Sequence, residues 1–122
     1  NFFGPWIPHP LNPVVADPFG ARPAGPMIMK SNELFRVGQI FNRRYGEGVA
    51  IFKVGSISET DYEETLFGQV AAHEVDPAFF GLHSFDVDED LIAVDGMALK
   101  FDMLAGYGRL RNLAGRSIKI QR

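Results

Sequence analysis

The chain contains no cysteine. That excludes a disulfide framework, a thiolate nucleophile and any cysteine-based zinc site, and it leaves the compartment open with a slight lean toward the cytoplasm. Long apolar runs are also missing: none approaches the ~20 residues a membrane span requires. The opening Asn-Phe-Phe-Gly-Pro-Trp lacks the basic and apolar regions of a signal peptide. The expectation is therefore a soluble protein with no membrane span. Tryptophan occurs once and tyrosine three times against eleven phenylalanines, so aromatic packing between layers falls mainly to Phe. Basic charge is scarce in the body of the chain. Residues 1–102 hold all fifteen acids and seven bases (net −8), whereas 103–122 hold five bases and no acid (net +5). The overall −3 gives no pull toward nucleic acid or anionic membrane. The basic tail reads as a solvated edge drawn to acidic surface, because no aromatic platform beyond Tyr107 accompanies its charges as single-strand binding requires.

What is present is enough for a core. At 122 residues, 46 % hydrophobic and 12 % aromatic, the chain is one ordinary domain or part of a larger protein. Proline and glycine are concentrated at one end, with seven of the eight prolines in residues 1–26. They remove amide donors and bar both helix interiors and central strands, so this stretch reads as an extended, ordered entrance. Phe2, Phe3 and Trp6 within it read either as anchors packed under the loop, the favoured reading, or as a sugar-stacking surface.

Beyond residue 26 the pattern is of short strands and turns. Strands are expected near 27–30, 34–41, 48–54, 62–70, 80–86, 91–95 and 97–102, forming successive antiparallel sheets. Ser31-Asn32, residues 87–90 and Asp95-Gly96 serve as turns, and Ala72–Ala78 is a polar loop closed by Asp76-Pro77. Ser58-Glu59-Thr60-Asp61 offers helix caps, but Tyr62, Leu66, Phe67 and Val70 fit both periods and the strand reading is preferred. Ser117–Gln121 alternates like a final strand.

Several motifs fail on inspection. Asp86-Val-Asp88-Glu-Asp90 begins like a calcium loop, yet Leu91 stands where the bend needs Gly and Met97 where a bidentate Glu belongs. His9, His73 and His83 have no metal-ligand spacing. Gly46-Glu-Gly48 and Gly106-Tyr-Gly108 lack the third glycine and strand-to-helix setting of a dinucleotide loop. Neither a metal nor any other cofactor is expected.

The constellation that survives is polar. His9, Asn12, Asp17, Arg22, Arg36, Gln39, Tyr45 and His83 each stand near backbone-fixing Pro or Gly, and Asp95 and Ser84 add to them. Ring hydroxyls both donate and accept, so sugars are held by such fans of planar hydrogen-bonding groups. Arg22, Arg36 and Gln39 are expected on one concave surface with Tyr45 beside it. Glycoside hydrolysis would need in addition two carboxylates a few ångströms apart, for which Asp17, Glu63 and Asp95 are candidates.

The order His9-Pro-Leu-Asn-Pro-Val, Ala21-Arg-Pro-Ala-Gly, Leu34-Phe-Arg-Val-Gly-Gln, Arg44-Tyr-Gly, Gly81-Leu-His-Ser and Val94-Asp-Gly resembles the β-propeller domain of the glucosamine inositolphosphorylceramide transferase family and its bacterial relatives. That domain is in turn similar to five-bladed propellers of the glycoside hydrolase family 43 type. The resemblance covers residues 9–96 and implies that Arg22, Arg36, Gln39, Tyr45 and His83 sit near the sugar-facing end of a propeller axis. A full propeller of this kind needs on the order of 250–300 residues. The chain is thus expected to supply about two blades over 1–102, as a C-terminal portion or a self-associating piece, with 103–122 as a basic tail.

Three function classes follow. The first is a carbohydrate-recognising propeller segment, non-catalytic alone, that binds a carbohydrate or glycoconjugate and forms a homo-oligomer. The second is a glycoside hydrolase or glycosyl-transfer enzyme completed by oligomerisation or further sequence. The third is a structural or interaction module.

Overall fold

The computed structural model describes residues 2–88, 91–100 and 111–112. The fold is all-β, as expected. Strands β1 (Ile28–Lys30), β2 (Glu33–Ile40), β3 (Gly48–Ile57) and β4 (Tyr62–Ala71) form an antiparallel meander in spatial order β1-β2-β3-β4. One helical turn, α1 (Ala72–Val75), stands where the sequence reads as a polar loop. The chain then makes a hairpin of β5 (Phe79–Asp88) and β6 (Leu91–Lys100), to which the two-residue β7 (Arg111–Asn112) adds.

The β1–β2 turn uses Ser31 and Asn32 in the left-handed region, at φ 50° and 61°. Asn is among the few residues that tolerate it. β2 and β3 pair in continuous register from Leu34↔Val54 to Ile40↔Gly48. The β3–β4 ladder slips twice, between Ile51 and Phe52 and between Val54 and Ser56. The first slip leaves Phe67 as an extra residue on β4, the usual effect of a bulge.

Alternation along β2 gives its two faces different partners. Val37 and Val49 join Ala24, Ala72, Phe79, Leu82 and Val94 in a core between the meander and the hairpin. On the opposite face Ile40, Ala50 and Phe52 pack with Phe19. The segment before β1 binds both layers. Ala24 donates its N–H to the Val37 carbonyl (2.9 Å) and accepts from Phe85 N–H (2.8 Å), and Gln39 N–H donates to the Arg22 carbonyl (2.7 Å). Pro23 is thereby bridged to Gly38. Proline is tolerated here because the segment lies at the sheet edge.

Two expectations are corrected. β6 runs unbroken through Asp95-Gly96, which the sequence reading made a turn. Both residues pair with β5, Asp95 with Ser84 and Gly96 with Leu82. Gly96 serves packing instead, since a Cβ there would collide with the Phe79 ring. Phe2, Phe3 and Trp6 do not pack beneath the loop: they are 84 %, 91 % and 76 % exposed. Pro5 and Pro8 keep this stretch extended and remove two amide donors that could have tied it to a sheet. The expected strand at 117–121, the end of the one at 97–102 and most of the basic tail lie outside the described residues.

Candidate functional site

The eight candidate residues divide between the two faces of β2. Arg22 lies opposite Gln39, next to the Pro23↔Gly38 bridge, and so shares its face. The Arg22 guanidinium carbon stands 5.1 Å from the centre of the Tyr45 ring and 6.0 Å from that of Phe41. These distances are within cation–π range. Phe41 meets Tyr45 edge-on at 5.2 Å, and Tyr45 tilts against the His83 imidazole at 4.8 Å. His83 Nδ1 is 3.8 Å from Asp95 Oδ2, beyond hydrogen-bond distance. The result is a row, Arg22–Phe41/Tyr45–His83–Asp95, assembled from the edge segment, the β2–β3 connection and both strands of the hairpin.

Buried contacts hold this row from behind. Gln39 is only 4 % exposed, and its Nε2 donates 2.8 Å to the His83 carbonyl across the interlayer space. Leu82 N–H donates to the Gly46 carbonyl at 2.7 Å, fixing the Tyr45 loop to β5. Gly46 needs its positive φ of 68°, and a Cβ there would press on the His83 ring. Gln39 Oε1 and His83 Nε2 are buried with no hydrogen-bond partner. The row thus presents a cation, aromatic faces, an imidazole and a half-exposed carboxylate. Such a set can stack on the C–H face of a sugar ring while binding its hydroxyls or a phosphate.

Arg36 does not share this surface, contrary to expectation. It projects from the other face of β2 and is tied to Glu64 through Nε and Nη2, each at 2.6 Å, and to the Gly20 carbonyl through Nη1 at 2.7 Å. Tyr62 donates its hydroxyl to Glu64 at 2.5 Å, and the guanidinium lies 4.6 Å from the Phe52 ring centre. Burial pushes the Glu64 carboxyl up, but hydrogen bonds from Arg36 and Tyr62 and the Arg36 charge outweigh it and hold the group below its ordinary value. Burial, with Glu64 beside it, raises the Tyr62 hydroxyl, and the Glu64 hydrogen bond raises Arg36 against the opposing effect of burial.

His9 and Asn12 lie on this second side, lining a cleft of about 430 Å³ with Arg36 and Tyr62. His9 Nδ1 accepts the Leu11 N–H at 3.1 Å. Asp17 caps its own turn by accepting the Phe19 N–H at 2.8 Å, and lines an adjoining hollow of about 530 Å³ with Glu63 and Glu64. Of the three carboxylates considered for hydrolysis, Asp17 and Glu63 share that hollow while Asp95 belongs to the row on the hairpin. The sequence marks Phe41, Tyr62 and Glu64 only as strand residues. An aromatic directly after β2 and just before Arg43-Arg44-Tyr45 is the available sign for Phe41. Nothing local distinguished Glu64 from Glu63. Among the described residues no group of three metal-ligating side chains occurs, and no helix is long and apolar enough to cross a membrane.

The fold and the row define an all-β domain with an aromatic, cationic polar surface at the junction of two sheets. Comparison with known proteins makes this more specific. A family model described as glucosamine inositolphosphorylceramide transferase 1, N-terminal, matches residues 1–94, and the chain belongs to that family. The matched region is N-terminal by that description, and the expected placement as a C-terminal portion finds no support. The chain is 27 % identical over 103 residues to glucosamine inositolphosphorylceramide transferase 1 of Oryza sativa subsp. indica, covering 81 % of this chain and 14 % of the relative. It is 30 % identical over 92 residues to the Arabidopsis thaliana protein of the same name, covering 70 % and 12 %. The chain thus spans about one seventh of these relatives' length. No solved structure matches it.

Proposed function

We propose that this chain is a carbohydrate-recognising segment of a β-propeller, the meander β1–β4 being one blade and the β5–β6 hairpin the start of the next, and that it is non-catalytic alone. Residues 1–102 make up the partial propeller and 103–122 a basic tail. The observation that carries the reading is the Arg22–Tyr45–His83–Asp95 row, where a guanidinium, two aromatic faces and a carboxylate converge from four separate segments. The four-stranded antiparallel meander has the form of a propeller blade. The relatives carry glucosamine and inositolphosphorylceramide in their name, so an amino sugar or an inositol phosphate headgroup is the ligand class to test. Arg22, an exposed residue, supplies the phosphate or hydroxyl donor. Tyr45 and Phe41 supply the stacking surface, and Asp95 the acceptor. His9, Asn12, Asp17 and Arg36 belong to a separate region on the other face, and their part in binding rests on the cleft they border.

Titration of the chain with glucosamine and with inositol phosphate, followed by NMR, tests this. Shifts are expected at Tyr45, His83 and their neighbours, with affinity about tenfold lower in Arg22→Ala and Tyr45→Ala. Shifts confined to the His9–Arg36 side, or equal binding by both variants, would refute the assignment.

A second reading, glycosyl transfer or glycoside hydrolysis completed by the rest of a longer protein, has one observation in its favour: Asp17 and Glu63 line the same hollow. Turnover of an arylglycoside, lost in Asp17→Asn and Glu63→Gln, would establish it over the first.

A further inference from the structure

The chain carries an exposed apolar segment near its start and an open apolar groove between its two sheets. In the segment, Phe2, Trp6 and Ile7 are 84 %, 76 % and 86 % exposed. The first sixteen residues contain no Asp, Glu, Lys or Arg. The groove, about 400 Å³, opens where the meander and the hairpin splay apart, with Phe35, Ile51 and Phe67 on one wall and Phe85, Val87 and Ile92 on the other. Its charged liners are one Lys and one Glu, Lys30 and Glu33, and Glu33 is already bound to Lys53 at 2.5 Å.

The segment cannot simply fold back into its own groove. His9 to Val15 follow it along the Arg36 face of the meander, bordering the cleft there. The groove lies on the Phe35 face, the other side of β2. Residues 2–7 would have to pass round a sheet edge to reach it. A second copy meets no such obstacle.

We infer that two copies of this chain associate by exchanging the Phe2–Ile7 segment, each seating it in the other's groove. An uncharged, aromatic segment matches a groove walled mainly by apolar side chains, and Glu33 enters the contact already paired with Lys53. Phe2, Trp6 and Ile7 would withdraw on the order of 500 Å² of side-chain surface. Counting the smaller exposed surface of the groove walls and the reciprocal contact, the total is roughly 1,300 Å², at the lower end of specific interfaces. The exchange is separate from the Arg22–Asp95 row.

Trp6 is the only tryptophan, so its fluorescence reports the segment directly. Sedimentation of the full chain should show a monomer–dimer equilibrium, with Trp6 emission shifting to the blue as the dimer forms. Phe67→Glu places a charge in the groove at a position 66 % exposed, where folding tolerates it, and should weaken association at least about tenfold. Phe2→Ser with Ile7→Ser should do the same from the other side. Mixing the two variants restores one intact segment-in-groove contact and should raise association above either alone. The inference is overturned if the chain stays monomeric with solvent-like Trp6 emission, or if it dimerises unaffected by both variants. It is equally overturned if the blue shift occurs in the monomer, or only on adding phosphatidylcholine vesicles.

Discussion

Removing the Glu64 carboxylate is the perturbation whose outcome the structure fixes most closely. The Arg36 and Glu64 side chains are 12 % and 11 % exposed, so their two-pronged contact at 2.6 Å lies almost out of water. In Glu64→Ala the guanidinium keeps the Gly20 carbonyl and the face of Phe52 but loses both charge-assisted bonds, and Tyr62 loses its acceptor. Stranding a nearly buried charge costs 3–5 kcal/mol when burial is complete; with the remaining contacts and some access to water, about 2–4 kcal/mol is expected. Since small domains lose 1–3 kcal/mol of stability per molar urea, the midpoint should fall by roughly 1–2 M. Arg36→Met alone should cost a similar amount, because it leaves the carboxylate stranded instead. The double variant Arg36→Met with Glu64→Leu should recover most of the loss, giving a coupling energy of about 1.5–3 kcal/mol from urea unfolding of all four proteins. A coupling below about 0.5 kcal/mol would show the pair to behave as an exposed surface ion pair and would refute the argument from burial.

The same network sets a pH dependence. Glu64 is held below its ordinary value in the folded chain, so its contribution is complete above about pH 4.5 and is lost as pH falls through the lower folded value; urea midpoints measured down the acid limb should flatten in Glu64→Gln. Tyr62 is raised, so its contribution is present below about pH 10 and lost as pH climbs through the raised value, and Tyr62→Phe should remove that alkaline loss. Gly38→Ala should lower the melting temperature by roughly 5–10 °C, because its Cβ would run into the Gly20 backbone where the edge segment crosses β2; an unchanged melt would mean that the crossing gives way freely. Gln39→Leu removes the bond to the His83 carbonyl and also the unpartnered Oε1, so calorimetric stability should change by less than about 1 kcal/mol while affinity for the proposed ligand, probed with glucosamine and inositol phosphate, falls; a large stability loss with unchanged affinity would contradict the positioning role.

The fold was legible because its signals are local. Alternation of Leu34 to Ile40 against a β-branched run in 48–54 specifies the β2–β3 pairing, and Ser31-Asn32 supplies the left-handed residues of the β1–β2 turn. Asp95-Gly96 misled for an equally local reason. The dipeptide is a strong turn signal, and only the Phe79 ring, seventeen residues away in sequence, explains why a glycine sits mid-strand. The candidate site was legible in part, as far as its residues' placement goes. Arg22, Gln39, Tyr45 and His83 stood out as polar residues beside Pro or Gly, and those neighbours do hold the loops: Pro23 bridges to Gly38 and Gly46 receives Leu82. What the sequence could not show was which carboxylate would find Arg36. Glu63 and Glu64 are equivalent by composition and differ only by the face of β4, which the bulges in the β3–β4 ladder help to set.

That dependence on register gives β2 its place in the molecule. Arg36 and Gln39 are three residues apart, an odd number, so a regular strand must send them to opposite faces. Arg36 meets a carboxylate and becomes structural, joining β2 to β4 and to the segment at Gly20. Gln39 meets a backbone carbonyl of the hairpin and sets where His83 stands relative to Tyr45. The two arrangements depend on each other through Gly20. Its carbonyl accepts from Arg36 on one face, while its N–H donates to the Gln39 carbonyl at 3.0 Å. The path from Gly20 leads within two residues to Arg22 in the candidate binding row. A change that loosens the Arg36–Glu64 pair therefore reaches Arg22 through the backbone, although the two guanidinium groups lie on different sides of the sheet.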